Sequence, residues 1–224
     1  HAEVLEGSFQ GTDVYALNLP SYGAITIQIL QIMDQLPPPA TEEHWAKQFD
    51  RVTALAYTYR KHQQNRDSLA KILDIKQAKV WAEAINSMPK SWTAAVGHTS
   101  HLTATDDWGN AVSLTQTIGP NMGSKVASKD LGFLYAVSLG GYLGEYKPGD
   151  RSNSHITPTL FMKDGKVLLA LGAAGGSRIV TAVTQVAHRY LAQKHPLDKA
   201  LLLPRIYPFQ DTLWIEDHEE VRSL

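Results

Sequence analysis

The chain has 224 residues, with 21 Lys and Arg against 22 Asp and Glu, and its net charge of −1 leaves no electrostatic footprint for nucleic acid or an anionic membrane. Hydrophobic residues make up 43% and charged ones 19%, which excludes intrinsic disorder and allows one large domain or two small ones with ample core. With no cysteine, disulfides, thiolate metal sites and cysteine nucleophiles are all excluded.

His1-Ala2-Glu3 has neither the basic start nor the apolar stretch of a signal peptide, nor an initiator Met. A segment preceding His1 is therefore expected. No apolar run approaches the ~20 residues of a membrane span.

Gly7 to Leu19 reads as one extended segment, and Pro20-Ser21-Tyr22-Gly23 as a turn leading into a helix. Ile25, Ile29, Ile32 and Leu36 recur at helical spacing on one face, and Pro37-Pro38-Pro39 ends that helix. Thr41 is the expected N-cap of the next helix, with Glu42 and Glu43 in its first turn and Trp45, Phe49, Val52, Ala56 and Tyr59 as its apolar stripe. Further helix is predicted over Ser68 to Ile72 and Gln77 to Asn86, then a break at Met88-Pro89 and a linker from Lys90 to Gly97.

Beyond the linker the period becomes alternating. Leu102 and Ala104, then Val112, Leu114 and Ile118, flank Asp106-Asp107-Trp108-Gly109-Asn110, which predicts a β-hairpin with a five-residue loop. A second hairpin is Leu160 to Met162, the turn Lys163 to Lys166, and Val167 to Leu171. Gly172-Ala173-Ala174-Gly175-Gly176-Ser177 then leads into a helix with Ile179, Val183, Val186 and Tyr190 on one face. Asn121 to Asn153 is rich in turn residues, as binding loops are. Helices, then hairpins, then a strand–Gly loop–helix unit give an α+β fold.

Thr99-Ser100-His101 sets two hydroxyls and an imidazole just before a strand. Such a triplet could be a nucleophile site, but on its own it reads as strand edge. Gly175-Gly176-Ser177 stands at a helix N-terminus, where unpaired N–H groups can hold a phosphate or an acyl-transfer oxyanion, or merely make a tight turn. It lacks the Gly-Lys-Ser/Thr ending of a P-loop and the spacing of a dinucleotide fingerprint. His98 and His101, with the scattered His155, His188 and His195, form no metal-ligand pattern, so no metal and no cofactor are expected. The acidic run Glu216 to Glu220 reads as a solvated face.

Taken together, these segments resemble the γ-glutamyltranspeptidase family. Thr99-Ser100-His101-Leu102 through Asp106-Asp107-Trp108-Gly109-Asn110-Ala111-Val112 resembles the start of that family's small subunit. Gly172 to Ile179 resembles its Gly-x-x-Gly-Gly-Ser-Arg-Ile oxyanion segment, and Ser154-His155-Ile156-Thr157-Pro158-Thr159 its Ser-Ser-Met-Ser-Pro-Thr run. Leu19-Pro20-Ser21-Tyr22-Gly23-Ala24 is similar to its Pro-Pro-Ser-Ser-Gly-Gly.

The resemblance implies an αββα N-terminal-nucleophile hydrolase fold, present in part. Residues 1–98 would be the helical end of a large-subunit-like segment and 99–224 a small-subunit-like segment. It implies self-cleavage between His98 and Thr99, Thr99 as nucleophile with its freed α-amine as base, Ser100 as a supporting hydroxyl, and Gly175 and Gly176 as oxyanion donors. It also implies substrate contacts at Gly119, Gly141, Ser154 and His155. The partners would be a small amide or γ-glutamyl-like donor, a water or amine acceptor, and the earlier large-subunit segment. A periplasmic or secreted location and a possible oligomer follow as family expectations.

The departures concern substrate. Gly140 and Gly141 stand where the family has two Asp, and Ala136-Val137 where it has an Asn pair. Gly119 replaces an Asn, and His155 the second Ser of the Ser-Ser pair. The acyl-transfer core is retained while the reader of the γ-glutamyl head is largely gone. A donor without a free amino-acid head is therefore expected, with classical γ-glutamyl transfer and an unprocessed, non-enzymatic family member as the alternatives.

Overall fold

The computed structural model describes residues 3–63, 65–88, 98–119, 122–137, 147–149, 151, 154–209 and 212–216. The linker from Lys90 to Gly97 lies outside them. The extended N-terminal segment is a hairpin: β1 (Val4–Phe9) turns back at Gln10-Gly11 into β2 (Thr12–Leu17). Gln10 and Gly11 adopt φ of 51° and 70°, the mirror-image turn that matches strand twist. Thr12 Oγ1 closes the turn by donating to the Phe9 carbonyl at 2.6 Å.

Helix α1 (Gly23–Gln35) is buried on two sides rather than on the single predicted face. Ile25, Ile29 and Ile32 pack with Trp45, Phe49 and Val52 of α2 (Glu42–Thr58). Ala24, Ile27 and Leu30 pack with Phe9, Val14 and Phe161 on the sheet side. An apolar stripe on both sides makes α1 the central helix of the molecule. Thr41 caps α2 as expected, its hydroxyl accepting from His44 N at 3.1 Å. Helices α3 (Arg66–Leu73) and α4 (Ile75–Ala84) complete the helical layer, capped by Asn65 and Asp74.

Both later hairpins form where the alternation predicted them. They are β3 (Thr99–Thr105) with β4 (Ala111–Thr117), and β5 (Thr159–Lys163) with β6 (Lys166–Leu171). The main sheet has the order β1-β2-β5-β6, all antiparallel, with Asp13 opposite Met162. The segments before and after Thr99 therefore share one sheet. Helix α5 (Arg178–Ala187) follows the glycine loop and runs into a π-helical turn over His188–Ala192. A short α6 (Leu197–Leu202) and the hairpin β7 (Ile206–Phe209) with β8 (Thr212–Ile215) end the described chain. Among the described residues no helix is long and apolar enough to cross a membrane.

One contact at the helix–helix seam carries a pH prediction. His188 is buried and accepts a hydrogen bond from Trp45 Nε1 at 3.2 Å, with Phe9 also against its ring. Burial, and then the neighbouring Arg189 guanidinium, push its pKa down to about 4. The unfolded chain takes up this proton near the ordinary value of 6.5, and the folded chain does not until about pH 4. The stabilising contribution is thus whole above pH 6.5 and lost as the pH falls to about 4, on the order of 3 kcal/mol at 1.36 kcal/mol per unit. Urea melts at pH 7.5 and 4.5 should show wild type losing about 2 kcal/mol or more beyond His188→Gln. Equal losses in the two proteins would place the acid sensitivity elsewhere.

Candidate active site

Thr99 opens β3 at the edge of a cleft of about 970 Å³. The hairpin register pairs Thr99 with Thr117, the last residue of β4. Directly opposed residues share a face of the ladder, so Thr117 stands beside Thr99. Thr117 Oγ1 donates to the His98 carbonyl at 2.7 Å and accepts from Gly119 N at 3.1 Å. The carbonyl of the His98–Thr99 peptide is therefore polarised by a hydroxyl that is itself held in place. Ser100 also lines the cleft, but strand alternation sets it on the other face from Thr99.

Pro20, Ser21, Ser154 and Ile156 line the cleft as well. Two backbone hydrogen bonds join these segments, Ser154 N to Pro20 O at 3.2 Å and Tyr22 N to Ile156 O at 3.0 Å. Arg60 holds the first from behind. Its guanidinium donates to Ser21 O at 2.8 Å and Pro20 O at 3.1 Å, and lies 3.8 Å from the centre of the Tyr22 ring.

Of the expected substrate contacts, Gly119 and Ser154 line the cleft. His155 instead turns behind the wall and stacks on Tyr22 at 4.4 Å. Burial, and then the Arg60 charge, lower its pKa to about 4, so it is neutral there. Gly141, with Gly140, lies outside the described residues. Among the described lining residues the ionisable groups are His98 and Arg151, and there is no carboxylate.

Gly175 and Gly176 occupy the turn before α5, with φ of 129° and 62°. Both values lie where side-chain-bearing residues are strained, which accounts for glycine at each position. Their carbonyls accept from Arg178 N and Ile179 N at 3.3 and 3.1 Å, starting the helix. Among the described residues neither glycine N–H has an acceptor. The turn is braced by the Ser177 hydroxyl, 2.7 Å from Tyr207 OH, and by Tyr57 OH donating to Ser177 O at 3.3 Å. Burial holds the Tyr57 phenol well above its usual pKa, so it remains a donor.

Gly175 opens into a recess of about 520 Å³ with Arg178, Tyr207 and Trp214, and not into the Thr99 cleft. The two halves meet through the hairpin. Ser113 Oγ donates to Leu171 O at 2.8 Å, and the His101 ring lies against Gly172. Among the described residues no cluster of His, Asp or Glu forms a metal-binding group.

Sequence reasoning missed Thr117 and Arg60. Thr117 was within reach, because β3 and β4 count equally outward from the Asp106–Asn110 loop and so bring it opposite Thr99. Arg60 had no local signal, since its role depends on a contact 39 residues away in sequence.

A family profile described as gamma-glutamyltranspeptidase matches residues 1–222. The glutathione hydrolase proenzyme of Bacillus subtilis (strain 168) is 26% identical over 247 residues, covering 92% of this chain and 42% of that relative. The glutathione hydrolase proenzyme of Pseudomonas aeruginosa is 29% identical over 238 residues, covering 92% of this chain and 43% of the relative. Cephalosporin acylase from Bacillus halodurans superposes with a TM-score of 0.74 over 93% of this chain and 41% of its own, at 18% identity, a likeness of fold alone. The chain thus spans less than half the length of these relatives.

Proposed function

The chain belongs to the γ-glutamyltranspeptidase family, with an α+β N-terminal-nucleophile hydrolase fold, and we propose that it carries the nucleophile and oxyanion segments of a self-cleaving amide hydrolase or acyltransferase. The observation that carries this reading is the 2.7 Å hydrogen bond from Thr117 Oγ1 to the His98 carbonyl, between two residues that line the cleft beside Thr99. A carbonyl so polarised is prepared for addition of the Thr99 hydroxyl. Oγ adds to the His98 carbonyl carbon, the C–N bond breaks, and the nitrogen takes the proton as the new α-amine of Thr99. Water then hydrolyses the resulting ester, returning His98 as a carboxylate.

In the cleaved protein that α-amine is the base for turnover. An α-amine has a pKa of about 8 and accepts a proton near neutrality, unlike a lysine amine. Thr99 Oγ adds to the donor amide carbonyl, and on the resemblance of Gly172 to Ile179 we assign the oxyanion to the unpaired N–H groups of Gly175 and Gly176, so the donor carbonyl has to reach from the Thr99 cleft to the recess into which Gly175 opens. The amine leaves with the proton, and water or an amine acceptor resolves the acyl-enzyme. The match covers 42% of the Bacillus subtilis relative, and a large-subunit segment is the partner this reading calls for.

The donor we infer lacks a free amino-acid head. A buried ammonium needs a carboxylate partner, and the described lining of the Thr99 cleft contains none. The test compares kcat/KM for a γ-glutamyl anilide with that for the same acyl anilide lacking the α-amino group. The des-amino donor should be at least as good a substrate. A preference for the γ-glutamyl compound of about a hundredfold, ~2.7 kcal/mol, would restore classical γ-glutamyl transfer as the activity. A denaturing gel of the full-length protein separates the non-enzymatic alternative, which requires a single uncut band.

A further inference from the structure

Gly172 differs from the other loop glycines in what it is for. Gly175 and Gly176 have positive φ, whereas Gly172 does not. An L side chain is therefore compatible with its backbone, and what excludes one is His101. A Cβ on Gly172 would lie 2.1 Å from His101 Cε1, 2.2 Å from Nδ1 and 2.7 Å from Nε2. These are ring atoms in the middle of a packed contact, not the free end of a flexible chain.

The ring is also held within its own hairpin. His101 pairs with Thr115 across the hairpin, and its Nδ1 lies 2.9 Å from Thr115 Oγ1. Nε2 is buried without a hydrogen-bond partner. The imidazole thus spends one nitrogen on its own hairpin and uses the rest of the ring as a spacer. By alternation Thr99 and His101 project from the same face of β3. The contact lies next to the Ser113–Leu171 hydrogen bond, so the hairpin docks on the chain at Leu171-Gly172 through one polar tie and one steric stop. Three residues further on is Gly175.

We propose that His101 is a positioning residue that sets the separation between the strand presenting Thr99 and the Gly172–Ser177 segment presenting the Gly175 and Gly176 N–H groups. This rests on the acyl-transfer reading above. Nucleophile and oxyanion donors sit on different elements, and a displacement of one ångström between such groups can cost about a hundredfold in rate. The His101–Gly172 contact is where those elements touch.

The experiment is a double-mutant cycle on the full-length protein, read by kcat and KM on whichever anilide donor wild type turns over, well below each variant's melting temperature. Gly172→Ala should lower kcat about 30-fold with KM within about threefold of wild type. His101→Ala should lower kcat about tenfold, again with little change in KM. The double variant should recover about tenfold over Gly172→Ala, because the added methyl then enters the space the ring has left. A purely structural contact would shift melting temperature and leave kcat per folded molecule unchanged, and that result overturns the assignment. So does a double variant no better than Gly172→Ala. Should Gly172→Ala not accumulate as folded protein, His101→Ala decides, and wild-type kcat in it overturns the proposal. A wild type that turns over no amide removes the acyl-transfer reading and this assignment together. An active wild type with unaltered kcat in Gly172→Ala removes the assignment alone.

Discussion

Thr99→Ala is expected to yield a single uncut chain that turns over no amide donor, with kcat reduced by at least about ten-thousandfold. Both losses follow from one atom. In the precursor, Thr99 Oγ is the group that adds to the His98 carbonyl, to which Thr117 Oγ1 already donates. In the cleaved protein the same oxygen adds to the donor, and the α-amine uncovered by cleavage takes its proton. Alanine retains the strand, since Thr99 lies at its first position and makes its ladder contact with Thr117 through the backbone. N-terminal sequencing of wild type should find a subunit beginning Thr99-Ser100-His101, and Thr99→Ser should keep both reactions at reduced rate. If Thr99→Ala still matures, or turns over substrate, another residue is the nucleophile and the cleft has a different use.

The fold was legible wherever a pattern is local. The loops Asp106–Asn110 and Asp164-Gly165 announce their hairpins, and Thr41 with Glu42 and Glu43 announces α2. The β1–β2 turn was not read from the sequence: Gly11 is its one glycine signal, and Gln10 is an unusual residue for the φ of 51° that the first turn position needs. Helix α6 is six residues long and stands between Pro196 and Pro204, so no period emerges from it. The pairing of Asp13 with Met162 is a long-range event that no window along the chain contains. The site divides in the same way. Thr99, Gly175 and Gly176 stand out by residue type and neighbours. That His155 packs behind the cleft wall rather than facing it depends on Tyr22 and Arg60, which reach it from distant segments.

Gly176→Val should separate the oxyanion role of its loop from its role as a turn. Gly176 is buried with φ of 62°, and a β-branched residue there is strained by about 1–3 kcal/mol whatever its surroundings. A fall in stability is therefore expected under either reading and decides nothing. Rate decides, provided the strain is matched elsewhere. Gly165, in the β5–β6 turn, has φ of 74° and nothing within 4 Å of an added Cβ. Gly165→Val imposes comparable backbone strain at a position with no part in the proposed chemistry. If the Gly175 and Gly176 N–H groups receive the tetrahedral oxyanion, Gly176→Val should lower kcat by about a hundred- to a thousandfold, because the strained residue carries its N–H out of line and forfeits one donor. Gly165→Val should lose a similar amount of stability and keep kcat within about twofold, because surface turns away from a site leave its geometry alone. Measured below both melting temperatures, equal kcat values in the two variants would mean that the Gly175-Gly176 turn only starts α5, and that the oxyanion is held by groups outside it.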